Sequence, residues 1–362
     1  MRIGIDAREL CGFATGVGRY LAGLLQEWAV DDLAGRHEFL LYAPVAPAMS
    51  LNPSRFVTRL IPGKAGTWWE QITLARAIAG ENLDVLFAPG YTAPLRLSVP
   101  FVVTIHDLSF FAHPEWFRPR EGARRRWFTR EAARRARDIL TVSHFACDEL
   151  TRRLGVAKPR VHVIPHGITA HPRGAAAAHA EPLVLYVGSI FNRRHVPDLV
   201  RAVACVLRGG RQVSLDIVGD NRTYPHENIE ELARSQGMNE AVRFHAYVTD
   251  ERLSELYARA GAFVFLSEYE GFGLTPLEAL AAGVPPILLD TRVARENCGE
   301  AAEYVPTADP ALVAGAIERL LFDEDRRRTI LAAAPAVLAR YSWPRAARET
   351  LSVIEGAAFN RG

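Results

Sequence analysis

Short apolar runs of four to six residues alternate along the chain with longer stretches in which apolar positions recur every three or four residues. In the first half the runs fall at residues 2–6, 38–42, 84–87, 101–105, 138–142 and 160–164, and the pattern predicts strands there. Between them Leu21, Leu24, Leu25 and Trp28 stand at helical spacing within residues 18–28, and a second helix over 149–154 closes on Gly155. From His171 to Pro182 the sequence turns to Pro, Gly, Ala and His without amphipathic period, which predicts a linker over 171–182 between domains over 1–170 and 183–342. The alternation then restarts, with strands at 183–187, 213–218, 242–244, 262–266 and 286–289 and helices at 197–207, 229–235, 250–260 and 275–282. Helices over 310–321, 325–338 and 343–356 follow the last of these strands. The expected fold class is α/β, two Rossmann-like domains in tandem, each a parallel sheet covered on both faces. Ligands then belong in a cleft, outside the carboxyl ends of the strands.

A length of 362 residues fits two domains, and 49% hydrophobic with 23% charged residues excludes a disordered chain. Lys and Arg number 43 against 41 Asp and Glu, so a net charge of +2 gives no global attraction to nucleic acid, and none is expected as a partner. Cys11, Cys147, Cys205 and Cys298 are scattered, with no Cys-x-x-Cys pair and no His cluster at ligand spacing; neither a disulfide framework nor a metal site is expected. The opening residues read as a strand, and no apolar run of about 18 residues occurs, so the expected location is the cytoplasm or the inner face of a membrane. One segment departs from the charge balance. Between Arg118 and Arg137 nine arginines face only Glu121 and Glu131, a net of +7 around Trp127 and Phe128. Arg126, Arg130, Arg134 and Arg137 share one helical face, which suits either a solvated surface or a seat on anionic lipid.

The densest chemistry lies in Ser267-Glu-Tyr-Glu-Gly-Phe-Gly-Leu-Thr-Pro-Leu-Glu278, which runs from a strand through a glycine loop into a helix. Glu270 and Glu278 have seven residues between them. Thr275, Pro276 and Glu278 stand where an N-cap, a first-turn proline and a capping-box glutamate would, so Glu278 has a purely structural reading. A helix start behind a glycine loop also offers free N–H groups and a positive dipole end to a diphosphate, and two carboxylates beside it can accept bonds from sugar and ribose hydroxyls. Gly12, Gly16 and Gly18 follow the first strand, but Leu21 stands where a dinucleotide fingerprint needs its third glycine. That break counts against a nicotinamide-dependent oxidoreductase. The Asp-x-Asp at Asp323 and Asp325 falls between two C-terminal helices and reads as a helix start.

Glu270 and Glu278, continued by Ala-Leu-Ala-Ala-Gly283-Val-Pro285, resemble the signature of the retaining glycosyltransferases of family four, which have the GT-B fold. Thr15-Gly-Val-Gly-Arg-Tyr20, Thr104-Ile-His106-Asp107, Thr141-Val-Ser143, Ile164-Pro-His-Gly167 and Tyr186-Val-Gly188-Ser follow in the family's order, so the likeness spans nearly the whole chain. It implies two Rossmann-like domains facing across a cleft, with a C-terminal helix over 343–362 returning to the first. It implies further that Glu278 holds the donor ribose, that Glu270 faces the transferred hexose, and that backbone amides of Gly271, Phe272, Gly273, Leu274 and Thr275 meet sugar and phosphate. Gly188 ends the first strand of the donor domain, and Arg193 and Arg194 stand where the family places an Arg and a Lys for the diphosphate; the planar guanidinium changes that geometry. His106 is implied to bond a hydroxyl of the transferred sugar, and Asp107 to tie its loop. Gly16 and Gly18 are expected to form a flexible lip near acceptor or donor phosphates. The expected substrates are a nucleotide sugar, GDP-mannose first or a UDP-sugar, and a saccharide or polyprenyl-diphosphate-linked acceptor, with no cofactor. The wording at Pro114-Glu-Trp-Phe117 most resembles mannosyltransferases of bacterial surface-polysaccharide assembly. A non-catalytic nucleotide-sugar-binding protein is the alternative outside enzymology.

Overall fold

A computed structural model describes residues 1–12, 16–32, 34–47, 49, 51–169 and 181–359. Thr15 of the glycine string and residues 171–180 of the expected linker lie outside the described residues. The chain divides into two compact units. The first holds Met1–Pro114, Pro119–Gly167 and the chain from Tyr341 onward, and the second holds Glu115–Arg118 and Ile168–Arg340.

Seven parallel strands form the sheet of the first unit: β1 Arg2–Asp6, β2 Glu38–Ala43, β3 Phe56–Leu60, β4 Val85–Ala88, β5 Phe101–Thr104, β6 Asp138–Thr141 and β7 Val161–Val163, in the order β3-β2-β1-β4-β5-β6-β7. β4 and β5 are buried at every residue, which is why they read as unbroken apolar runs. β3 was not legible in the pattern, because on this edge strand only Phe56 is buried and Thr58, Arg59 and Leu60 are exposed. In the second unit β8 Leu183–Val187, β9 Ser214–Val218, β10 Val242–His245, β11 Ala262–Phe265, β12 Pro286–Leu289 and β13 Glu303–Val305 are again parallel, in the order β10-β9-β8-β11-β12-β13. β13 is too short and too polar to announce itself. Its Glu303 carboxylate is held by Arg319 at 2.8 Å and by Arg326 Nε at 2.8 Å, from two different helices.

The helix Trp343–Phe359 packs in the first unit against the helix Gly16–Val30. Trp28 Nε1 donates to the Ala347 carbonyl at 2.9 Å, and Leu351, Ile354 and Ala357 join Ile3, Ile5 and Leu25 in one core. Gly167 makes that return close: a Cβ there would lie 2.2 Å from Trp343 Cγ and 2.3 Å from its backbone nitrogen.

Two local expectations are corrected. Gly16 and Gly18 are not a lip but the first turn of the helix Gly16–Val30, with Gly18 buried; the parallel pairing of β1 with β2 needs a crossover between them, and this helix supplies it. The arginine stripe is shortened, because the helix Pro119–Arg135 ends at Arg135 and leaves Arg137 beyond it. Arg126 donates to the Phe110 carbonyl at 3.1 Å, Arg130 lies 5.4 Å over the Phe111 ring, Arg134 pairs with Glu131 at 3.0 Å, and Arg137 falls past the helix end. Asp323 caps the helix Glu324–Leu338, accepting from the Arg326 N–H at 2.9 Å.

Candidate functional site

In an open parallel sheet, neighbouring crossovers leave on opposite faces where the strand order reverses, and a crevice opens there at the carboxyl ends. The second sheet reverses between β8 and β11. Gly188 leaves β8 and Ser267 to Glu270 leave β11, so both loops meet at that point.

The turn Asn192–Arg194 supplies the cations. Arg194 donates through Nε and Nη2 to one oxygen of Glu270, Oε1, at 2.9 and 2.8 Å, and through Nη1 to the Ser189 carbonyl at 2.8 Å. Its guanidinium lies 4.8 Å over the Phe265 ring. A side chain at Gly188 would strike it, since a Cβ there would stand 2.8 Å from Arg194 Nη1. Ser267 Oγ adds a third bond to Glu270 Oε1 at 2.9 Å, which leaves Oε2 for another donor. Burial opposes the Arg194 charge, but Glu270 more than offsets this and its pKa moves up.

Arg193 is arranged differently. Its guanidinium stacks 4.4 Å over Phe191 and 5.8 Å over Trp116, and its buried Nε has no hydrogen-bond partner among the described residues. A buried unsatisfied donor is costly, and an incoming anion removes that cost. The sequence presents two equivalent arginines; the fold assigns one to Glu270 and leaves the other open.

The glycine loop runs into the helix Leu274–Ala281. Its N-cap is Gly273 at φ 93°, a conformation that suits glycine, and no side chain caps it. The capping box expected from Thr275 and Glu278 is therefore not formed. Thr275 lies inside the first turn, and Glu278 lies in the second, too far along to reach back to the N-cap as a capping-box glutamate does. Glu278 is nevertheless only 4% exposed. Asn297 Nδ2 donates to the Phe272 carbonyl and pins Gly271 to Gly273 from behind. The first N–H groups of this helix have no acceptor within it and carry the positive end of its dipole.

In the first unit the order reverses between β1 and β4, with His106 just beyond neighbouring β5. His106 Nε2 donates to the Pro89 carbonyl at 2.8 Å, which fixes the neutral tautomer with Nδ1 as acceptor. Tyr20, Tyr91 and His166 surround it at ring distances of 5.0, 5.6 and 5.4 Å, and burial lowers its pKa, keeping the ring neutral. Asp107 ties the loop, taking the Tyr91 hydroxyl at 2.6 Å and the Ser109 N–H at 2.8 Å.

A cluster that no motif announced lies at the end of β1. Arg8 joins Asp6 at 3.1 Å and Glu70, and Thr92 Oγ1 donates to Glu70 at 2.6 Å. Glu70 sits in the wide helical turn Trp69–Leu74, a local widening that periodicity does not reveal. The structure thus brings Arg194 against both Gly188 and Glu270, with Arg193 on the adjoining turn, Gly271 to Gly273 on the flanking loop and Leu274 and Thr275 in the first turn of the helix that follows. His106, Gly16 and Gly18 stand on the other unit.

Two family descriptions tile the chain: Glycosyltransferase Family 4 matches residues 14–171 and Glycosyl transferases group 1 matches residues 168–336. The chain is similar to the O-antigen chain mannosyltransferase B of Escherichia coli, 27% identical over 280 residues, or 74% of this chain and 73% of that one. It is also similar to the alpha-D-kanosaminyltransferase of Streptomyces kanamyceticus, 29% identical over 68% of each chain. Among solved structures, sucrose-phosphate synthase from Thermosynechococcus elongatus overlays with a TM-score of 0.79 at 21% identity, covering 98% of both chains.

Proposed function

The chain belongs to the glycosyltransferases in which a Family 4 domain precedes a group 1 domain, with the GT-B fold, and from that premise we propose that it transfers mannose from GDP-mannose to a hydroxyl of a saccharide or polyprenyl-diphosphate-linked saccharide, with retention at the anomeric carbon. The observation that carries this reading is the division between the two arginines. Arg194 holds Glu270 in place, where Oε2 is available to a hexose hydroxyl, while Arg193, with an unsatisfied buried Nε, faces the charge that grows on the departing diphosphate. The N–H groups at the start of the helix Leu274–Ala281 add to that stabilisation, so no divalent metal and no cofactor is required. Glu278 takes the ribose hydroxyls, and neutral His106 offers Nδ1 to a hydroxyl of the transferred sugar. In the retaining step the bond from C1 to the phosphate oxygen breaks, the acceptor oxygen bonds C1 on the same face, and the acceptor proton passes to the departing phosphate.

Mannose is favoured by the O-antigen relative, whereas the kanosaminyl relative shows that the hexose varies within such similarity. A UDP-sugar is the second donor. Thermal shifts of the full chain with a panel of nucleotide sugars test the choice, because a ligand that binds only the folded state raises the melting temperature. GDP-mannose should give the largest rise, with turnover that survives EDTA. A larger rise with a UDP-sugar reassigns the donor, turnover abolished by EDTA and restored by manganese overturns the metal-free mechanism, and binding without turnover of any acceptor leaves a non-catalytic binder.

A further inference from the structure

We propose that His195, as a doubly protonated imidazolium, is a positioning residue that clamps the turn Asn192–Arg194 to the loop after β11, so that nucleoside diphosphate binding weakens as this ring loses its charge. The proposal rests on reading the β8/β11 crevice as the nucleotide-sugar site. His195 sits in the left-handed region at φ 50°, directly after Arg193 and Arg194, as the N-cap residue of the helix Val196–Arg208. Its two ring nitrogens are both committed. Nδ1 is 3.0 Å from Asp198 Oδ2 and Nε2 is 2.7 Å from Glu268 Oε1. An ionised carboxylate only accepts hydrogen bonds, so both nitrogens must donate, and only the cation carries two N–H groups.

Glu268 is joined to the same turn a second time, through its own N–H to the Arg193 carbonyl at 3.0 Å. One side-chain bridge and one main-chain bridge therefore fasten together the two loops that carry Arg193, Arg194 and Glu270. The charges facing the ring are settled. On its own helix Asp198 also accepts from Arg201 at 2.7 Å; across the turn Arg194 is neutralised by Glu270; Arg193 is the adjacent cation; and on the facing loop Glu268 is the carboxylate on the ring. The bond to Asp198 lifts the His195 pKa, burial pulls it down, and Glu268 lifts it again, with a net upward shift. When the proton leaves, one N–H remains for two carboxylates, so the clamp loses one of its two bonds and the charge that strengthened the other.

Isothermal titration of the full chain with GDP and with UDP, between about pH 7.5 and pH 9, tests this where the terminal phosphate, with a second pKa of about 6, is mostly ionised already and its remaining ionisation could only strengthen binding. Wild type should weaken about fivefold across that range, the order that one hydrogen bond supplies. His195→Asn, which tolerates the left-handed backbone but does not titrate, should bind at the weaker level with no slope. Glu268→Gln, at an exposed position, should also lose the slope, since an amide can donate to the neutral ring. A flat wild-type profile, or an unchanged slope in either variant, overturns the proposal. If neither nucleotide binds at any pH, the nucleotide-sugar reading fails instead, and the clamp is judged by NMR titration of the His195 ring. A ring pKa above that of a free imidazole, brought down by Glu268→Gln, sustains the clamp; a pKa at or below it overturns the clamp.

Discussion

Arg193 and Arg194 are neighbours in sequence with opposite circumstances in the fold. Removing Arg194 strands Glu270, one of whose oxygens takes both guanidinium bonds, and leaving a half-buried charged acceptor unpaired costs about 1–3 kcal/mol. Arg194→Ala should therefore lower the melting temperature of the unliganded chain by several degrees. Arg193→Ala removes no ion pair, so it should leave that temperature nearly unchanged while weakening nucleoside diphosphate binding by about tenfold or more. Differential scanning fluorimetry and titration calorimetry separate the two; equal effects on both measurements would contradict the division. Asp6 has a similar lesson for pH. Burial is the largest influence on it, opposed by Arg8 and reinforced by Glu70, and its pKa rises to about 6. The native state then takes up a proton between about pH 6 and pH 4 that the unfolded chain does not, so this group's contribution falls as the pH rises through that window. Asp6→Asn resembles the protonated form. It should match wild type near pH 4 and gain on it by up to about 3 kcal/mol towards pH 6, the free energy of a shift of about two units. Urea melts across that range decide it, and a constant difference between the two proteins would show that Asp6 does not titrate there.

At the scale of elements, the glycine loop and the basic helix show how local sequence is overruled. The Thr-Pro-x-Glu wording asks for a helix starting after Thr275, yet Gly273 accepts the left-handed turn and starts it earlier. That moves Glu278 out of capping reach and into a buried second turn. In the helix Pro119–Arg135 the expected arginine face is partly consumed by Phe110, Phe111 and Glu131. The outward residues include Trp127, 53% exposed, beside Arg120 and Arg124, and Arg124 also reaches Thr67, next to Trp68, which is 76% exposed. Exposed indole among arginines suits a lipid headgroup layer, and we propose anionic membrane as the partner of this helix. Liposomes containing phosphatidylglycerol should co-sediment the chain at low salt and release it at high salt. Arg120→Ser with Arg124→Ser and Trp127→Ser should abolish that binding; undiminished binding by this variant would leave the helix a solvated face. Among the described residues no helix is long and apolar enough to cross a membrane.

For the molecule as a whole, the alternation of apolar runs determined the class of the fold, because a strand buried on both faces of a parallel sheet must be apolar throughout and its crossover helix must be amphipathic. Those constraints act residue by residue, so they are written locally. The strands that escaped, β3 and β13, escaped for the same reason: an edge strand and a three-residue strand need little burial. The chemistry around Glu270 and Glu278 was legible because a loop that approaches a ligand must spend consecutive residues on glycine and carboxylate. Contacts between distant segments were not legible. The fit of Trp343 against Gly167, the partition of Arg193 from Arg194, the His195 bridge to Glu268 and the Asp6, Arg8 and Glu70 cluster each join residues whose separation no periodicity encodes. Sequence by itself determined which elements form and which loops carry polar chemistry. Tertiary structure alone decided which charges are paired, because pairing and burial depend on what the fold brings within about 4 Å, where a low-dielectric interior makes each pairing count.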